Sequence, residues 1–276
     1  MEPKNQQIIQ IQQLNIPAKT NFAKKLRMRL FGLIGYPLGH SFSQKYFSEK
    51  FAREGITDAR YELFPLENIA GLPALLPQHP DLRGLNVTIP HKETVIPMLD
   101  ELDETARAVG AVNCIKIEHR RLKGYNTDVI GFEQSLKTVD GGRWTVDGTQ
   151  ALILGTGGAS KAVAYVLKKL GIPFQFVSRN PGGDKQISYE TLHRLPSTVY
   201  RLIIHTTPLG MAPHTDTCPD LPFEQLTPQH LVYDLVYNPS ETLLLQRAKA
   251  QGCPVKNGLE MLHLQAEAAW NIWQHE

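Results

Sequence analysis

Asn86, Thr88 and Lys92 fall in the stretch NVTIPHK, where a Val/Ile strand pattern is stopped by Pro90. An amide, a hydroxyl and an amine at a strand end point into open space. Together they suit a site that grips a polyhydroxylated ring and moves a proton on it. Other polar groups sit at comparable places: Ser41 and Ser43 just after the first apolar run, Asn113 in GAVN, and Asn126, Thr127 and Asp128 in NTD. Strand ends and loop entries are where α/β proteins place their sites. Taken singly, each admits a plainer reading. Ser41 or Ser43 suits a helix cap, Asn113 a turn, and Lys92 with Asp128 a surface ion pair.

A second chemistry is written in LILGTGGAS. Gly155 and Gly157 match the first two glycines of G-x-G-x-x-G/A, with Ser160 in the third place. Four apolar residues precede the turn and an amphipathic stretch follows it. That is the context in which such a turn binds a pyrophosphate on helix N–H groups, and a close-packing turn is the alternative. Gly155, Gly157, Gly158 and Ala159 are therefore expected to face a dinucleotide. The next strand ends in FVSRN, with Ser178, Arg179 and Asn180 and no carboxylate. An NAD site places Asp or Glu there for the ribose 2′-hydroxyl, whereas a guanidinium pairs with a 2′-phosphate. The expected cofactor is NADP.

The elements that must hold these groups follow from alternation. LFGLIGY reads as a buried strand. SQKYFSEKFAREG reads as a helix with Phe47 and Phe51 one turn apart and Gly55 as its stop. ARYELFPL and LRGLNVTIP read as strands, and AVNCIKIEHRRLKGYN as a hairpin turning near His119–Arg121. DVIGFEQSLK is a linking helix and GGRWTVDGTQ a surface turn region. ALIL is a strand, followed by a helix with Ala159, Val163, Val166 and Leu170 on one face. PFQFVSRN, YRLIIHTT and HLVYDLVY are further strands. GLEMLHLQAEAAWNIW is a last helix with Leu262, Ala266, Ala269 and Trp273 on one stripe. This pattern predicts an α/β protein whose second part is a doubly wound parallel sheet.

Composition narrows the function. The chain has 276 residues, 42% hydrophobic and 20% charged, enough for two domains with sizeable cores. Residues 1–29 carry six cations against Glu2, a net of +5 that leaves −3 for the rest of the chain. A nucleic-acid binder would carry its excess on the folded body. No apolar run approaches a membrane span. Cys114, Cys218 and Cys253 are widely separated and show no metal spacing, which fits reduced thiols in a cytosol. Residues 1–27 read as a misassigned or disordered extension ahead of Met28.

GYPLGHSFS, NVTIPHK, GAVN, NTD, GTGGAS, TTPLGM, YDLVYNPSET and NGLEMLHLQA occur in the order and spacing of shikimate dehydrogenase. The chain resembles that family from Arg29 to Trp273. The resemblance implies reduction of 3-dehydroshikimate to shikimate with NADPH. It implies Ser41 and Ser43 on the substrate carboxylate, Asn86, Thr88, Asn113 and Gln265 on ring hydroxyls, and Tyr237 closing over the substrate. Lys92 and Asp128 would form the catalytic pair, and Gly258 would lie against the nicotinamide. No metal is required, because the cofactor supplies the difficult step. Residues 28–127 with 258–276 would form an N-terminal α/β substrate domain that includes the returning C-terminal helix. Residues 128–257 would form a Rossmann-like NADP domain, in a cytoplasmic monomer or homodimer.

Three positions depart from the family pattern: Gln44 where Pro is usual, SRN where NRT is usual, and His205 where Asn is common. His205 reads as a structural histidine. The alternatives are a quinate/shikimate dehydrogenase using NAD, a catalytically silent dinucleotide-binding regulator, and a methylene-tetrahydrofolate-type dehydrogenase. The last gives no reason for the Ser41/Ser43 pair.

Overall fold

The computed structural model describes residues 28–39, 42–139, 150–183 and 185–275. The expected extension at 1–27, Ser41 and most of the expected turn region lie outside them. The chain begins with β1 (Arg29–Gly35), α1 (Phe42–Arg53), β2 (Ala59–Pro65), α2 (Leu72–Gln78), β3 (Leu82–Val87) and α3 (His91–Thr94). It continues with β4 (Glu101–Leu102), α4 (Glu104–Val109), β5 (Cys114–Glu118), β6 (Arg121–Tyr125) and α5 (Asp128–Lys137). Then come β7 (Ala151–Leu154), α6 (Gly158–Lys169), β8 (Phe174–Val177), β9 (Gln186–Ile187), α7 (Tyr189–Arg194) and β10 (Leu202–His205). The last elements are β11 (Leu231–Asp234), α8 (Leu243–Ala250), β12 (Val255–Lys256) and α9 (Leu259–Gln274).

Two sheets form. The first runs β2-β1-β3-β5-β6-β4. Its β1 pairs parallel with β2 and β3, while β5 and β6 add the expected antiparallel hairpin. The second runs β12-β11-β10-β7-β8-β9, parallel throughout. Its order reverses between β7 and β10. In an open α/β sheet, the crevice beyond the strand ends at that reversal is where ligands bind. Apolar clusters cover both faces of each sheet.

The last helix ties the molecule together. Trp273 donates its indole N–H to the Ile115 carbonyl at 3.0 Å and stacks on Phe31 with ring centroids 4.9 Å apart. Thus α9, which follows β12 of the second sheet, docks on the first. At its other end Met261 joins Val129 and Phe132 of α5 in one core cluster. The cleft lies between these anchors.

Two expected helix faces shift. In α6 the buried residues are Ser160, Ala162, Val163, Val166 and Leu167, while Ala159 turns to the cleft. In α9 Ala266, Ala269 and Trp273 are buried as expected, with Met261 and Trp270 beside them, while Leu262 lines the cleft. Each helix is pressed on two sides, so one stripe does not describe it. The short elements α2, α4, α7 and α8 were not expected. Three had legible caps: Asp103 accepts from Ala106 N–H, Ser188 from Thr191 N–H, and Thr242 from Leu245 N–H.

Candidate active site

Lys92 is aimed by a short turn of helix. Pro90 ends the β3 run and opens α3, whose first residue His91 is buried and donates from Nε2 to the Leu66 carbonyl at 2.6 Å. With His91 facing the core, the next side chain turns to the cleft. The Lys92 carbonyl is held by Val112 N–H at 2.7 Å. Asp128 opens α5, just past the β6 strand end. The two head groups meet: Lys92 Nζ donates to Asp128 Oδ2 at 2.6 Å. Their side chains are 18% and 7% exposed. A surface ion pair would be far more open, so the contact keeps little water between ammonium and carboxylate.

Asn113 is the hub behind the pair. Its Nδ2 donates to Asp128 Oδ1 at 2.8 Å and to Thr127 Oγ1 at 3.0 Å, and its Oδ1 accepts Thr127 N–H at 2.7 Å. Asp128 therefore has one oxygen fixed by Asn113 and the other on Lys92. Gln265 of α9 reaches the same hub: its Oε1 accepts from Asn113 Nδ2 and Thr127 Oγ1, each at 3.4 Å.

A cavity of about 230 Å³ opens in front of these groups. Ser43, Asn86, Thr88, Lys92, Asn113, Asp128, Ala159, Tyr237, Gly258 and Gln265 all line it. Residues of the first sheet, of the segment after β11 and of helices α5, α6 and α9 thus converge on one space. Leu33, Val87, Leu235, Met261 and Leu262 supply apolar walls. Ser43 lies inside α1, so it is no helix cap; its hydroxyl bonds the Tyr61 hydroxyl.

The glycine turn stands at the cavity's edge. Gly155 has φ +113°, which L side chains rarely adopt, and a Cβ there would lie 2.8 Å from Thr206 Oγ1. Gly157 caps α6 with no side-chain hydrogen bond, and a Cβ added to it would meet nothing within 4 Å. An uncapped helix N-terminus facing open space is a cradle for a phosphate anion. Gly158 carries the turn to the pair, because a Cβ on it would be 3.1 Å from Lys92 Cβ. Ser178, Arg179 and Asn180 stand apart from the cavity, beyond the end of β8. Asn180 N–H donates to Ser178 Oγ at 3.2 Å, and the Arg179 side chain is exposed, free to reach a 2′-phosphate. The chemistry of these residues fits NADP: helix N–H groups for its pyrophosphate and a guanidinium for its 2′-phosphate.

A family model described as the shikimate dehydrogenase substrate binding domain matches residues 33–115. The shikimate dehydrogenase (NADP(+)) of Geobacillus kaustophilus is 39% identical over 263 residues, covering 89% of this chain and 92% of that one. The chain belongs to the shikimate dehydrogenase family. A second family member, from Desulforamulus reducens, is 35% identical over 269 residues and covers 90% of both chains. A crystal structure of Thermus thermophilus shikimate 5-dehydrogenase in complex with NADP(H) and shikimate superposes with a TM-score of 0.77. It is 32% identical and covers 89% of this chain and 93% of that one.

One feature of this shikimate dehydrogenase family member's site was not legible in the sequence. Tyr61 of β2 is buried and donates to Asn86 Oδ1 at 2.8 Å while bonding the Ser43 hydroxyl. Burial holds its phenol well above the ordinary range, so it stays a proton donor. ARYELFPL read only as a strand, and the partners of Tyr61 are distant in the chain. Tyr61→Phe removes the brace under Asn86 and Ser43. Since a buried hydrogen bond contributes about 1 kcal/mol, the substrate KM is expected to rise about fivefold. Steady-state kinetics at saturating cofactor measures this.

Proposed function

We propose that this chain catalyses the NADP-dependent, reversible reduction of 3-dehydroshikimate to shikimate, a step toward chorismate and the aromatic amino acids. The observation that carries this is the Lys92–Asp128 contact of 2.6 Å inside a cavity shared with the glycine turn. Hydride chemistry belongs to the nicotinamide when it is bound. The residues of the chain do the rest. Reduction of a keto group leaves negative charge on oxygen, which the Lys92 ammonium stabilises and to which it can deliver a proton. Asp128, held by Asn113, orients the ammonium and hydrogen-bonds the same hydroxyl. Ser41 and Ser43 take the substrate carboxylate as neutral donors, so the anion is satisfied without an added charge. Asn86, Thr88, Asn113 and Gln265 take ring hydroxyls. Tyr237, half-buried with Phe42 5.6 Å from its ring, closes over the substrate. Gly258 lies against the nicotinamide, its missing side chain leaving room for the Leu235 carbonyl.

Arg179 decides between cofactors in this reading. A charge-assisted hydrogen bond to a 2′-phosphate contributes about 1.5–3 kcal/mol. Arg179→Ala is therefore expected to weaken NADPH binding tenfold or more and leave NADH binding nearly unchanged. Fluorescence titration with both cofactors measures this, and equal losses would remove the assignment. The function itself is tested by absorbance at the NADPH band: shikimate with NADP⁺, then with NAD⁺, then quinate with each. Turnover fastest with shikimate and NADP⁺ is expected. Preference for quinate or NAD⁺ would favour a quinate/shikimate dehydrogenase, and silence in all four would favour a non-catalytic regulator. A cytosolic location and a monomeric or homodimeric state belong to the same proposal. Among the described residues, no helix is long and apolar enough to cross a membrane.

A further inference from the structure

His205 ends β10 with its side chain wholly inside the protein, and neither the substrate grip nor the cofactor turn proposed above uses it. Its ring is bonded at both nitrogens. Nδ1 lies 2.9 Å from Asp234 Oδ1, and Nε2 lies 2.5 Å from Thr207 Oγ1. Asp234 is equally inaccessible, and its carboxylate accepts three donors. Oδ1 takes Val236 N–H at 2.9 Å as well as the imidazole, and Oδ2 takes the Thr242 hydroxyl at 2.5 Å. A carboxylate in that setting accepts, so Nδ1 carries the proton and Nε2 accepts the Thr207 hydroxyl. The Thr207 oxygen is then open to Leu209 N–H at 3.3 Å. Every donor in the chain Leu209, Thr207, His205, Asp234 has an acceptor.

Both ends of this chain reach the site. On one side, the Thr206 hydroxyl donates to the Leu154 carbonyl at 2.7 Å, and a Cβ on Gly155 would lie 2.8 Å from Thr207 Cγ2. The segment after β10 is thus pressed on the glycine turn. On the other side, Asp234 fixes Val236 between Leu235 and Tyr237, both of which line the cavity. The Val236 carbonyl accepts Gly258 N–H at 3.1 Å, and the His205 carbonyl accepts Leu235 N–H at 2.9 Å. We propose that His205 is a positioning residue that braces the loop beside the cofactor turn against the Leu235–Tyr237 wall of the substrate cavity. Both cofactor and substrate affinity then depend on one buried ring. Imidazole has two nitrogens on opposite sides and spans the gap. An Asn side chain can keep a donor on Asp234 but is too short to reach Thr207 as well.

The test uses the full chain and four variants: His205→Ala, His205→Asn, Thr207→Val and the double variant His205→Ala/Thr207→Val. NADPH affinity is read by fluorescence titration, and shikimate KM and kcat by steady-state assay. His205→Ala is expected to weaken NADPH about tenfold and to raise the shikimate KM by a similar factor. His205→Asn should keep the shikimate KM near wild type while binding NADPH as weakly as Thr207→Val. The double variant should bind NADPH no more weakly than His205→Ala, because the two changes break one link. A fall in melting temperature with NADPH affinity and shikimate KM unchanged would reduce His205 to a structural role and overturn the proposal. So would additive losses in the double variant. If His205→Ala does not fold, His205→Asn and Thr207→Val decide alone. The inference rests on the proposed function, but NADPH titration needs no turnover. A wild type that binds NADPH and ignores shikimate counts against that function only, and the titrations still decide the brace.

Discussion

Lys92→Ala is expected to lower kcat by about 10²–10⁴-fold, the usual contribution of a positioned proton donor, while the shikimate KM changes little. Two features of the site set this size. First, the ammonium sits 2.6 Å from Asp128 Oδ2 in a place that is 18% exposed, where few waters can substitute for it. Second, the charge it stabilises exists on the reacting oxygen only as the keto group is reduced, so its loss is felt in the transition state and hardly in substrate binding. Asp128→Asn should fall in the same direction. Its Oδ1 end would keep a partner in Asn113, but the other end would lose the charge that orients the lysine. The two changes together should cost little more than Lys92→Ala, because groups that act as a unit are not additive. Steady-state kinetics on the three variants checks all of this. A Lys92→Ala enzyme with a raised KM and an intact kcat would make the lysine a binder.

Gly258→Ala is expected to damage the enzyme severely without touching a charged group. A Cβ at that position would lie 2.0 Å from the Leu235 carbonyl oxygen and 2.5 Å from its carbon. Backbone cannot swing aside as a side-chain end can. Relief requires the segment after β11 to part from the start of α9. Leu235 and Tyr237 lie on one of those segments and Met261, Leu262 and Gln265 on the other, and all line the cavity. Overpacking of this kind costs about 1–3 kcal/mol of stability. The expected result is a melting temperature several degrees lower and kcat/KM reduced at least tenfold, with cofactor and substrate both affected. Thermal unfolding and steady-state kinetics on the same preparation measure the two parts. A variant with wild-type kcat/KM would show that the two segments part freely.

The amino-acid sequence alone determined much of this protein. Helix α5 begins and ends where DVIGFEQSLK predicted, and Gly55, with φ +66°, follows α1 as its predicted stop. The β-α-β run with its hairpin and the doubly wound sheet followed from local alternation, because the period of apolar residues is set by helix and strand geometry itself. The glycine turn was legible for the same reason: its meaning depends on the strand before it and the helix after it. The polar set from Asn86 to Asp128 was visible as a group, though not as a single cavity. Other features were decided only by the tertiary structure. Lys92 and Asp128 are 36 positions apart, Tyr61 and Asn86 are 25 apart, and His205 and Asp234 are 29 apart. No periodic pattern records such pairs. They exist because parallel strands bring residues from distant turns to one edge, where a buried donor must find whatever acceptor the packing leaves nearby. The demand for glycine at 258 has the same origin: it comes from a carbonyl on a neighbouring strand end, and only the folded chain puts it there.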